Sequence, residues 1–135
     1  MRLPNRASTA VWLSLAVLAL CGCTDKRHHP AEELASALRA HGVVYDMSET
    51  AALSGVRGDG LRLTGPGLVV ELYAISDRAE WEQAVTAAAR AAEMLRQRGA
   101  THELKHYARR PFLVIVRQEP TGGQVGAALA AIWGS

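Results

Sequence analysis

Aromatic residues are scarce in this chain of 135 residues: one Phe, three Trp and three Tyr, 5% in all. Cysteine is scarcer still, and both copies stand near the start, at Cys21 and Cys23. Two cysteines two positions apart cannot staple a domain, so a disulfide-framework protein is excluded. No basic stripe runs along the sequence and few aromatic rings are present for bases to stack on, which argues against nucleic-acid binding. The glycine-rich run at residues 55–67 lacks the lysine–serine ending of a phosphate-cradling loop, and it leads into a strand instead of a helix. No serine sits in a G-x-S-x-G elbow. Arg57-Gly58-Asp59 spells an adhesion tripeptide, but three residues in a glycine-rich turn do not carry that reading. Long apolar runs are missing as well, with one exception.

That exception is the N-terminus. Residues 1–6 hold Arg2 and Arg6 and no acid, and residues 7–20 are apolar apart from Ser8, Thr9 and Ser14. A charged start and an apolar stretch read as an export signal. The continuous apolar part is about half of the roughly 20 residues that a stable membrane-spanning helix needs. Leu20-Cys21-Gly22-Cys23 comes next. A leucine, a second residue, a glycine and a cysteine in this order resemble the lipobox of bacterial lipoproteins. The resemblance implies a diacylglycerol thioether on Cys23, cleavage just before it, and an N-acyl chain on the new amino terminus. Cys21 fits that role poorly, because Leu20 would then stand before the cut, where the family has a small residue. The implied division is a signal peptide at 1–22, a lipidated tether at 23–30 and a single domain at 31–135. Two or three acyl chains, at about 0.8 kcal/mol per buried CH₂, hold a protein stably at a membrane. Thr24, where retained inner-membrane lipoproteins usually carry Asp, points to the outer membrane facing the periplasm in a Gram-negative host. The pI near 8.8 follows from the same segment. Without Arg2 and Arg6, the 13 remaining basic residues balance the 13 acidic ones.

Past the tether, Pro30 at a first helical position opens a helix, with Glu32 and Glu33 at the positive end of its dipole and Gly42 as its stop. Asp46 with Glu49 reads as a capping box for a short turn or helix. A short strand is expected over residues 61–64 and a longer one over 68–75, joined as a hairpin through Gly65-Pro66-Gly67. Asp77 with Glu80 is a second capping box. It opens the clearest helix, over residues 78–98, where Trp81, Ala84, Val85, Ala88, Ala92 and Leu95 form one stripe. Two more strands meet near Arg109-Arg110-Pro111, and a terminal helix presents Val125, Leu129, Ile132 and Trp133 on one face. These elements predict an α+β domain: a small antiparallel sheet of about four strands, with two to three helices packed mainly on one face.

Candidate chemistry is sparse. His28 and His29, on the tether, are weak metal candidates. His102 and His106 are four apart on a strand, about 13 Å from each other, too far to share one ion. The acid pairs Asp46/Glu49 and Asp77/Glu80 are explained as helix caps before acid–base work needs invoking. Gly122-Gly123 precedes a helix and offers a weak anion site. In the 68–75 strand, alternation puts Val69, Glu71, Tyr73 and Ile75 on one face, and Tyr107 and Arg117 would line that face if the second hairpin pairs alongside. Glu71, Tyr73, Tyr107 and Arg117 then form either a recognition surface or a solvated sheet face with a cross-strand ion pair. The expectation is a membrane-anchored, extracytoplasmic, non-catalytic binding or adaptor module for a protein partner in the cell envelope. It carries covalent lipid and no other cofactor. The alternative is a small-ligand or metal-binding lipoprotein.

Overall fold

The computed structural model describes residues 30–53, 60–101 and 103–134. Cys21, Cys23, His28, His29, Arg57 and His102 lie outside the described residues. The chain runs α1 (Pro30–Ala40), β1 (Met47–Ala51), β2 (Gly60–Gly65), β3 (Leu68–Ala74), α2 (Arg78–Gln97), β4 (Lys105–Arg109), β5 (Phe112–Gln118) and α3 (Gln124–Ile132). The strands form one sheet in the order β1-β2-β3-β5-β4, every neighbouring pair antiparallel.

Strand alternation sorts the side chains onto two faces. Leu68, Val70 and Leu72 of β3 point to one face, where Val116 and Val114 of β5 stand opposite Val70 and Leu72. α1 and α3 cover this face. Leu34 and Leu38 from α1 and Val125 and Leu129 from α3 close over Leu63, Leu68, Val70, Leu72, Val114 and Val116. Each such side chain, fully buried, contributes roughly 1.5–3 kcal/mol. On the other face, Tyr73 and Ile75 with Leu113 and Ile115 receive Ala84 and Ala88 of α2, with Trp81, Val85 and Leu104 packed around them. The α+β architecture is therefore present, with two of three helices on one face and the long α2 alone on the other.

The sheet has five strands, one more than the sequence predicts. The extra strand is β1, at the position read as a capped turn or helix after Asp46. Met47–Ala51 pairs residue for residue with Thr64–Gly60. A cap is a local device worth about 1 kcal/mol, and a five-residue ladder against a hairpin that is already formed outweighs it. The second capping motif does act as one: Asp77 Oδ1 accepts from the Glu80 N–H at 2.8 Å. Trp81 Nε1 then donates to the Phe112 carbonyl at 2.9 Å, which fixes the start of α2 over the start of β5.

Candidate functional site

Glu71 is the one charged side chain buried among the described residues, at 1% exposure, and it lies on the α2 face of the central strand β3. Antiparallel pairing puts Arg62 of β2 directly opposite it. On its other side, the register between β3 and β5 shifts between Val69 and Val70, which pair with Gln118 and Val116. Arg117 is the residue left over in that bulge, and bulges re-aim side chains. Its Nε donates to Glu71 Oε2 at 2.8 Å and its Nη2 to Oε1 at 3.2 Å. Arg62 donates to Oε2 from Nη2 at 3.0 Å and from Nε at 3.3 Å. The Tyr73 hydroxyl donates to Oε1 at 3.0 Å.

Burial alone would push the Glu71 carboxyl up. The hydrogen bonds from Arg117, Arg62 and Tyr73, with the charge of Arg117, outweigh burial and hold it below its usual range. Burial, and then the neighbouring Glu71 charge, push the Tyr73 hydroxyl up, so it stays a proton donor. The hydrogen bond to Glu71 raises Arg117 further. Chemically, Glu71 is a brace. Its oxygens are saturated and its proton affinity is low, which unfits it as a base near neutral pH. One carboxylate faces two guanidiniums, so the cluster keeps a positive surplus, and Glu49 stands 4.0 Å from Arg62 at its edge. Side-chain exposures of 40% for Arg62 and 46% for Arg117 leave their outer edges in solvent.

Three of the four residues proposed for a surface thus meet, but not as a surface. Glu71 and Tyr73 are buried beneath the arginines, and only Arg117 is reachable. Tyr107 is on the opposite face: it pairs with Val114, whose side chain belongs to the α1/α3 core, and its hydroxyl lies against Gly126 of α3. Arg62, which the sequence reading passed over, takes its place. Counting back from a two-residue turn at Pro66-Gly67, with Gly65 opposite Leu68, would have found it.

Beside the brace, the second half of α2 and the β4–β5 hairpin enclose a groove of about 320 Å³. Leu95, Leu104, Ile115 and the alanines 87, 88 and 91 form its walls, with Met94 at half exposure, and the two polar residues among its described lining are Arg98 and Arg117. The weak anion site expected at Gly122-Gly123 is filled from within. Gly123 is left-handed and gives α3 no side-chain cap. Glu119 reaches over instead, its Oε2 accepting from Val125 N–H at 3.3 Å and its Oε1 from Lys105 Nζ at 3.1 Å.

Among the described residues, no three His, Cys, Asp or Glu side chains are grouped to hold a metal ion. His106 is half-buried in β4, and its partner in the sequence argument, His102, lies outside the described residues. No described helix is long and apolar enough to cross a membrane. Comparison with protein-family models, with curated proteins and with solved structures finds no match in any of the three.

Proposed function

We propose that this chain is a lipid-anchored extracytoplasmic lipoprotein whose α+β domain binds a partner or ligand without catalysing a reaction on it. The observation that carries the reading is Leu20-Cys21-Gly22-Cys23 directly behind a basic start and an apolar run. Its distance from the domain supports it. Pro30, the first residue of α1, stands seven positions after Cys23. At ~3.3–3.6 Å per extended residue, such a tether holds the domain within about 25 Å of its anchor. Binding in place of catalysis is supported by Glu71, a buried acid spent on orienting two arginines.

Metabolic labelling with a clickable fatty acid tests the anchor. Cys23→Ala abolishes both labelling and signal cleavage, and Cys21→Ala leaves both intact. The reverse pattern overturns the assignment of Cys23. Photocrosslinking in cells from position 117, the exposed member of the brace, reports an envelope protein if the partner is a protein. The groove beside Arg117 favours a second reading, a small-molecule ligand.

A further inference from the structure

We propose that the groove between α2 and the sheet binds a medium-chain aliphatic carboxylate, with the carboxylate on Arg98 and Arg117 and the chain against Leu95, Leu104 and Ile115. This rests on the binding-module reading above and names the ligand class.

Ligand sites are typically apolar clefts with a few well-placed polar groups, and at about 320 Å³ this one is near the small end of their range. That size suits a single short chain and excludes a two-chain lipid. Charge complementarity selects the head. None of the ten described residues lining the groove is acidic, and two are arginines. Arg117 spends Nε and Nη2 on Glu71, and its Nη1 has no hydrogen-bond partner among the described residues. A guanidinium fork suits a carboxylate, and one fixed by a buried brace is pre-organised for it. Arg98 follows the last turn of α2 and makes no ion pair among the described residues; its backbone N–H closes the helix onto Met94. The other cleft that shares Arg117 is different. There Glu103, Lys105 and Glu119 stand together, so positive charge is already answered by the protein's own acids. An uncharged chain would fill the groove but leave Arg98 and the free edge of Arg117 without a counter-charge there. Met94 at the rim is an adaptable wall for ligands of somewhat different shape.

The test is calorimetric titration of sodium octanoate into the full-length protein held in phosphatidylcholine nanodiscs, with empty nanodiscs as the reference. One octanoate per chain binds saturably. Octanol, with the same chain and no charge, binds at least about tenfold more weakly, as expected where a charge-assisted pair is lost. Arg98→Gln weakens octanoate about tenfold while the unfolding midpoint stays put, because Arg98 holds nothing in the fold. Ala91→Phe, which fills the groove from the exposed side of α2, abolishes binding. Arg117→Gln weakens binding as well, and Arg98→Gln keeps the result interpretable if that variant unfolds. The proposal is overturned if octanoate gives no saturable heat beyond empty nanodiscs, if octanol binds equally well, or if folded Ala91→Phe binds like wild type. It is overturned too if heat appears only when the nanodiscs contain anionic phospholipid, which would mean a membrane surface. Octanoate binding needs only the folded domain and fatty-acid labelling needs only Cys23, so failure of one is distinguishable from failure of the other.

Discussion

Replacing Glu71 by glutamine keeps the shape of the brace and removes its charge. Two equivalent oxygens become one oxygen and one NH₂, and whichever way the amide is turned, its NH₂ meets donors: Tyr73 and Arg117 at the Oε1 position, Arg62 and Arg117 at the Oε2 position. Hydrogen bonds to a charged group are worth about 1.5–3 kcal/mol against about 0.5–1.5 for neutral pairs. The loss is then about 1 kcal/mol for each of the three donors. The two arginines are nearly half exposed, so water replaces part of what they lose. The expected destabilisation is about 2 kcal/mol at pH 7. The sign of the pH dependence follows from the carboxyl being held below its usual range. Between the roughly 4.3 of a free glutamate and the lower folded value of Glu71, the unfolded chain carries a proton that the folded chain does not. Stability therefore rises with pH across that window. Wild type loses this contribution as the medium is acidified, and the glutamine variant has none to lose. Urea unfolding, followed by the fluorescence of Trp81 where it bonds Phe112, should show a gap of about 2 kcal/mol at pH 7 that closes toward pH 3. A gap under about 0.5 kcal/mol at pH 7, or one that stays constant to pH 3, would refute the account of Glu71 as a charged brace.

Two further perturbations test the packing. A methyl group on Gly60 would overlap the Tyr73 ring and stand 2.9 Å from the Leu72 carbonyl. That ring is buried and its hydroxyl is tied to Glu71, so Gly60→Ala should cost about 3 kcal/mol. Gly126→Ala meets the outer end of the Tyr107 ring, its hydroxyl at 2.7 Å and its Cζ at 3.2 Å, and no backbone. That side chain can swing, and the gain in helix propensity of about 0.8–1 kcal/mol should leave the variant at or slightly above wild type; thermal unfolding midpoints of the pair decide. Glu119→Ala should lower stability by about 1 kcal/mol by uncapping α3 at Val125, read by faster amide exchange confined to the first turn of that helix. Lys105, raised by its bond to Glu119, favours folding below the roughly 10.4 of a free lysine and loses that contribution as pH climbs through its higher folded value. The variant should lack this alkaline loss, and a variant with wild-type exchange rates in α3 would show that Glu119 caps nothing.

What was readable in the sequence, and what was not, divides along a physical line. Features that depend on neighbours in sequence came through. Asp77 caps the Glu80 amide as its spacing implies, β3 carries the β-branched and aromatic content of a strand, and the stripe through Ala84 and Ala88 is the buried side of α2. Features set by pairing between distant segments did not. Asp46 and Glu49 have the local signature of a capped turn or helix, and the pairing with Thr64–Gly60 explains why an extended chain wins there as β1. Tyr107 lies on the face opposite the one expected, because face depends on register, and sliding one strand by a single residue exchanges its two faces. The brace shows both halves of this rule at once. Glu71 stood out as a charge within an apolar strand, but its burial needs Arg62 from β2 and a bulge that turns Arg117 inward from β5. The groove is further still from legibility. Ala88 belongs to the helical stripe expected from the sequence, whereas Ala87 and Ala91 stand beside it, and small side chains at a helix–sheet contact normally let the helix approach its sheet. Here they leave room between α2 and the β4–β5 hairpin instead, because α2 is pinned at its first turn through Trp81 and Phe112, while at its far end Leu95 is only partly buried and Met94 stays half exposed. The same composition supports a tight seam or a ligand-sized gap, and the long-range contacts at the two ends of the helix decide which one forms.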